Sequence, residues 1–144
     1  MAGADKLYTP ELLALAVALA DYPADRSLPL HGQARSKSCG STLTVDLALD
    51  SEGRIEAIGL QVRACAVGQA TAAIFARAAQ GRSRDDVDAA FTALSAWLAG
   101  SGDPPDWPGL AAIAPARAFP ARHGAIMLPW TAARDALSTA GADR

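Results

Sequence analysis

Apolar and polar residues alternate through residues 42–49, the most regular pattern in the chain. This period of two predicts a half-buried β-strand in which Asp46 lies on the solvated side. A turn at residues 50–53 follows, and then a second apolar segment, 54–62, whose spacing shifts near Ala57. We therefore predict an antiparallel hairpin with a bulge in its second strand.

Local signals predict helices around this hairpin. A first helix begins at Thr9-Pro10-Glu11, because threonine can cap a helix and proline suits its first turn, and it ends at Pro23. An alanine-rich helix over residues 66–80 ends at Gly81. The sequence Ser83-Arg84-Asp85-Asp86 has the form of a capping box and begins a third helix.

The remaining segments carry weaker signals. Residues 22–37 are expected to be irregular or to form edge structure, and a last helix to run from Pro129 or Thr131 to Leu137, with a frayed tail over 138–144. Together these elements predict an α+β fold: a small antiparallel β-sheet of about three strands, with several helices packed on one face and water on the other. At 144 residues we expect a single domain, 1–144.

Composition excludes several classes of function. The chain is 51% apolar and 19% charged, with a net charge of −2, so an ordered core is expected and a nucleic-acid partner is not. The longest apolar run, residues 12–20, is too short to cross a membrane. The first residues lack the pattern of a signal peptide, which predicts a cytoplasmic protein.

The two cysteines are the candidate site. Cys65 lies between the second strand and the alanine-rich helix, where unpaired N–H groups and the helix dipole stabilise a thiolate; alternatively it is a small buried hydrophobic residue. Cys39 precedes the first strand, with Arg35 and Lys37 nearby; alternatively it is an incidental loop thiol. Because the hairpin strands are antiparallel, we predict both thiols at one end of the sheet.

Other ligands for a metal are few. His31 and His123 are weaker candidates, since neutral imidazole binds zinc and iron, although a surface histidine is the more common outcome. The sequence has no phosphate-binding loop, nucleophile elbow or zinc-protease motif, so we expect a binding protein and not an enzyme.

The order of these elements resembles the U-type iron–sulfur cluster assembly scaffolds, the family of IscU, SufU and the NifU N-terminal domain. The resemblance covers residues 8–137. It depends on Cys39-Gly40 before the hairpin, on Ala64-Cys65-Ala66 before the alanine-rich helix, and on two later segments, Pro120-Ala121-Arg122 and Leu128-Pro129-Trp130. It implies the scaffold fold and cluster-assembly partners such as a cysteine desulfurase.

The resemblance also implies which positions would hold a cluster. Family members use three cysteines and an aspartate. Cys39 and Cys65 match the first two cysteines, whereas Ser41 stands where the aspartate is expected and Ala125 where the third cysteine is expected. The chain therefore keeps half of a four-ligand set.

Three hypotheses follow. The chain binds iron, zinc or a nascent iron–sulfur cluster through Cys39 and Cys65, with other ligands from His31, small thiols or a second copy in a homodimer. Alternatively, it is a metal-free adaptor that binds the assembly partners. In the third, one cysteine relays sulfur as a persulfide.

Overall fold

The computed structural model describes residues 7–37 and 40–142. Its regular elements follow in chain order: helix α1 (Pro10–Ala18) with a 3₁₀ turn (Leu19–Asp21), strands β1 (Leu30–Arg35), β2 (Thr42–Leu49) and β3 (Ile55–Arg63), helices α2 (Ala66–Ala79) and α3 (Arg84–Leu98), 3₁₀ segments Leu110–Ala118 and Pro120–Arg122, and helix α4 (His123–Ala142). The three strands form one antiparallel sheet in the order β1-β2-β3. The predicted α+β fold is confirmed.

The predicted hairpin is present. Its turn is closed by a hydrogen bond from the Asp50 N–H to the Arg54 carbonyl at 2.8 Å. The pairing changes from Ala48 opposite Ala57 to Leu49 opposite Ile55, which leaves one extra residue in β3. This is the bulge that the shifted spacing predicts.

The helix-start signals are also confirmed. The Thr9 hydroxyl accepts a hydrogen bond from the Leu12 N–H at 3.1 Å, with Pro10 as the first helical residue of α1. Both halves of the predicted capping box form between Ser83 and Asp86. Gly81 follows α2 with a positive φ of 87°, and it ends this helix as predicted.

The inner face of the sheet carries the apolar side chains of the strands. Leu43, Val45 and Leu47 of β2 are buried there. Helix α4 packs against β1 and β2, and α2 packs against β3. On the helical side, the core includes three aromatic rings, Phe75, Trp107 and Trp130, whose centroids lie 5.2–5.4 Å apart.

The predicted start of the last helix is wrong. Helix α4 begins at His123 and contains Pro129 in its interior. Proline is most common in a first turn, so it suggested a start there, but the residues before it are buried: Ala125, Ile126 and Leu128 are at most 3% exposed. Their packing keeps the earlier turn helical. The helix also continues to Ala142, past the predicted end at Leu137.

The outer face of the sheet is only partly exposed to water, and here a second prediction is wrong. The Tyr22 carbonyl accepts a hydrogen bond from Leu60 of β3, and the chain then crosses the outer face over Gly59. A Cβ atom on Gly59 would lie 2.7 Å from the Asp25 nitrogen and from the Pro23 oxygen. We call residues 22–28 the crossing segment.

Asp46 lies under the crossing segment and is 1% exposed, not solvated as its place in the alternation predicts. Its carboxylate accepts hydrogen bonds from the Asp25 N–H at 3.0 Å, from Arg26 at 3.0 Å and from His31 Nδ1 at 2.7 Å. Buried carboxylates need such partners. The alternation gave no sign of them because Arg26 belongs to an irregular segment.

Candidate functional site

The candidate site lies where β2 begins and β3 ends. Thr42 and Arg63 are opposite each other in the β2–β3 ladder. On the other side, the Ser36 N–H donates to the Ser41 carbonyl at 2.8 Å, which extends the pairing of β1 with β2. The loop between β1 and β2 therefore lies at the same end of the sheet as the residues that follow β3. We call this end the cysteine corner.

Cys65 occupies the N-cap position of α2, with extended backbone angles of φ −65° and ψ 173°. Its carbonyl accepts the hydrogen bond of the Gln69 N–H at 2.9 Å, while its thiol makes no capping bond and is partly exposed. Cys65 forms no disulfide with another described residue. It therefore lies beside the electropositive end of a 14-residue helix and can be reached from outside.

The first turn of α2 packs closely against its neighbours. A Cβ atom on Gly68 would lie 2.6 Å from the Cβ of Ala64 and 3.4 Å from the Cβ of Ala125. Gly68 is thus required for this approach. It also means that Ala125, on α4, contacts the turn that Cys65 begins.

Ala125 is completely buried. The position at which the family resemblance implies a third cysteine is therefore beside the cysteine corner, and a methyl group fills it. Ser41, at the position of the expected aspartate, is buried at 6% exposure beside the start of β2. The described part of the corner thus has one thiol and no carboxylate at the implied ligand positions.

Cys39 lies outside the described residues. Its covalent neighbour Gly40 is described, and the Gly40 N–H donates to the Ser36 carbonyl at 2.9 Å. Gly40 precedes β2 by two residues, as Cys65 follows β3 by two. The described chain thus reaches the same end of the sheet from both sides, while the position of the Cys39 sulfur stays a prediction.

His31 is held elsewhere. It is opposite Asp46 in the β1–β2 ladder, and Nδ1 donates to that carboxylate. Arg35, the last residue of β1, is four positions further along the chain, a distance of about 13 Å along an extended strand. Binding of a metal at the corner by His31 would require a large movement of β1.

His123 also has another partner. It is the first residue of α4, and its Nε2 donates to the Arg117 carbonyl at 2.8 Å. Two residues along a helix correspond to a rotation of about 200°. His123 is therefore on a different side of α4 from Ala125, which contacts the first turn of α2.

The sequence reasoning missed the Asp46 cluster, in which one buried carboxylate accepts three hydrogen bonds. Its one sequence signal is an acidic residue in the centre of an apolar strand. Within residues 7–37 and 40–142, no three His, Cys, Asp or Glu side chains are placed to hold a metal ion. Over the same ranges, no helix is both long and apolar enough to cross a membrane.

Comparison with solved structures identifies the fold. The chain is similar to the crystal structure of a nitrogen-fixing NifU-like protein (N-terminal) from Brucella abortus, with a TM-score of 0.89, 27% identity and 99% of each chain covered. It is also similar to FiSufU from Fervidobacterium islandicum AW-1, a candidate iron–sulfur cluster assembly scaffold for the SUF system, with a TM-score of 0.79 and 16% identity over 91% of this chain and 96% of the other. No family model and no curated protein matches the sequence.

The likeness to FiSufU shows the fold alone, whereas the likeness to the NifU-like protein extends over nearly the whole of both chains. The fold and the whole-chain likeness are those of the U-type iron–sulfur cluster assembly scaffolds, which this chain resembles. This likeness confirms the resemblance that the order of the sequence motifs predicted.

Proposed function

We propose that the protein is a divergent iron–sulfur cluster assembly scaffold that holds iron, zinc or a nascent cluster through Cys39 and Cys65. The observation that carries the proposal is the place of Cys65. Cys65 occupies the N-cap position of α2, at the end of the sheet that the chain before β2 also reaches, in the fold of a NifU-like domain. Thiolates are the ligands that bind both zinc and iron–sulfur clusters.

In this proposal, a second copy of the chain supplies the cluster ligands that one chain lacks. Because Ala125 fills the third cysteine position, one chain supplies two thiolates, and a cluster needs about four ligands. Two copies related by a twofold axis would supply four equivalent thiolates around one cluster. A homodimer with one shared cluster is therefore the arrangement we propose, and in it the metal or cluster is cargo and not a resident cofactor.

Anaerobic reconstitution tests this function. The protein is incubated with ferrous iron and sulfide, desalted, and measured by visible absorbance, by iron and acid-labile sulfide content and by size-exclusion chromatography. We expect thiolate-to-iron absorption bands and one cluster for every two chains, in a dimer that the apoprotein does not form.

The matched comparison is a double variant, Cys39→Ser with Cys65→Ser, which contains no thiol because the chain has two cysteines. Ala66→Ser changes the neighbouring residue and keeps both thiols. The double variant should lose the bands and the Ala66 variant should keep them. Equal metal content in the wild type and the double variant would contradict the proposal.

A second function, a metal-free adaptor, is favoured by one observation. The buried methyl group of Ala125 replaces a ligand without leaving space for another one. An adaptor would bind assembly partners, such as a cysteine desulfurase, independently of its thiols. The thiol-free double variant should then bind the desulfurase with unchanged affinity in an anaerobic pull-down, and loss of binding would count against this function.

A further inference from the structure

A row of basic residues crosses the outer face of the sheet at the cysteine corner. Arg35 is opposite Thr42, and Thr42 is opposite Arg63, so the three residues lie side by side on β1, β2 and β3. Directly opposed residues point to the same face of a sheet. Since the next residue of β2, Leu43, is buried on the inner face, this row lies on the outer one. We call Arg35, Thr42 and Arg63 the basic row.

The positive charges of the row have no acidic partner within the described residues. Arg35 and Arg63 are exposed, as is Lys37 just beyond β1. The ion pairs of the described chain involve other basic residues: Arg26, His31, Arg54 and Arg134. The two arginine Cα atoms are roughly 10 Å apart, because each strand spacing is close to 5 Å.

The residues next to the basic row on the outer face of the sheet are uncharged. The next row along the outer face consists of Gln33, Thr44 and Gln61. Beyond it, Asp46 is occupied by its three hydrogen bonds, and at the edge of β1 the Asp135 carboxylate accepts the Gln33 N–H at 3.1 Å. Arg35 and Arg63, at the two ends of the basic row, are exposed, so the row is open to solvent.

This local excess of positive charge contrasts with the whole chain, whose net charge is −2. A depression of about 390 Å³ next to the row is lined by residues of β1 and β2, among them Arg35, Thr42 and Thr44. A partner surface that complements the basic row is flat and acidic, with carboxylates spaced to meet the guanidinium groups of Arg35 and Arg63. Three cations on an acidic protein are too few for the phosphate contacts that nucleic-acid binding requires.

We propose that the basic row is the docking surface for an acidic patch of a protein that exchanges cargo at the cysteine corner. Arg63 is the last residue of β3 and precedes Cys65 by two residues, so the row ends next to the turn that carries the thiol. Guanidinium groups form bidentate hydrogen bonds with carboxylates, which fix the orientation of a partner as well as attract it. This inference rests on the proposed scaffold function, because it assumes that the thiols are where cargo is exchanged.

The experiment measures binding of the cysteine desulfurase encoded in the same genome, by biolayer interferometry at 50 mM and 500 mM NaCl. The variant is Arg35→Glu with Arg63→Glu. Its control is Arg77→Glu with Arg84→Glu, which makes the same change in net charge at exposed arginines of α2 and α3. Thermal unfolding of both variants shows whether each one is still folded. The milder variant Arg35→Gln with Arg63→Gln removes the two charges without reversing them and is measured in the same way.

We expect the variant of the basic row to weaken binding by about 10- to 100-fold at low salt, mainly through slower association. The control should stay within about threefold of the wild type, and raising the salt should narrow the difference because it screens exposed charges. Equal weakening by both charge-reversal variants, or no binding by the wild type, would overturn the docking proposal.

Iron–sulfide reconstitution of the same variants distinguishes the two proposals. Because the thiols are intact, the variant of the basic row should take up a cluster as the wild type does. A cluster without partner binding by the wild type leaves the scaffold function standing and removes the docking surface. If the desulfurase binds through the basic row but no form of the protein takes up a cluster, the scaffold function is contradicted and the docking surface is supported.

Discussion

Asp46→Ala removes the carboxylate to which the crossing segment and β1 are both bonded. In the wild type this side chain is 1% exposed and accepts hydrogen bonds from the Asp25 N–H, Arg26 and His31. The substitution leaves the Asp25 N–H without that partner, beside the covered face of the sheet. The Arg26 and His31 side chains are 64% and 36% exposed, so water can replace the lost bonds there.

The expected cost follows from these environments. A fully buried N–H group left unsatisfied costs about 1–3 kcal/mol, and the Asp25 N–H, whose bond to Asp46 is only partly buried, costs less than a fully buried one. Loss of the two charge-assisted bonds adds to this, but removal of a buried charge returns part of its desolvation energy. We therefore expect the free energy of unfolding to fall by about 2–4 kcal/mol. For a chain of 144 residues, the unfolding entropy makes this a decrease in Tm of roughly 7–13 °C.

Thermal unfolding followed by circular dichroism measures the change at pH 7. Asp103→Ala is the control, because Asp103 is exposed in the loop after α3, and it should change the stability by no more than about 0.5 kcal/mol. Asp46→Asn keeps one acceptor oxygen and should fall between the two. If Asp46→Ala is no less stable than Asp103→Ala, the crossing segment is not held by this carboxylate.

Three further changes test other parts of the molecule. Gly59→Ala should destabilise the protein by about 1–3 kcal/mol, because its methyl group would collide with the backbone of the crossing segment, and urea unfolding measures this. The Ser83 backbone N–H donates to the Asp86 carboxylate and lowers the pKa of that carboxyl. The stability that the ionised Asp86 contributes is therefore present above about pH 4 and is lost as the pH falls further. Asp86→Asn should be less stable than the wild type at pH 7, and the difference in stability should be smaller at pH 3. Ala125→Cys adds a thiol beside the turn that Cys65 begins, and cobalt titration should show stronger thiolate-to-metal bands than the wild type; unchanged bands would mean that position 125 does not face the metal.

Much of the fold is encoded in short stretches of sequence. The alternation at residues 42–49, the turn at 50–53 and the capping box at 83–86 each report on the conformation of the residues that form them, and all three are present in the structure. Cys65 at the start of a helix is of the same kind, because the helix start depends on neighbours within a few residues. These features could be predicted because the interactions that produce them are local.

Other features depended on contacts between distant segments, which no local pattern reports. Pro129 lies inside a helix because buried residues on its N-terminal side hold the earlier turn against the core. Asp46 is buried because a segment about twenty residues earlier in the chain crosses the sheet above it. The basic row exists only because the register aligns Arg35, Thr42 and Arg63 across three strands. The sequence by itself thus determined most of the elements and the place of Cys65 at the start of a helix, whereas tertiary packing decided which side chains are covered, paired or left facing a partner.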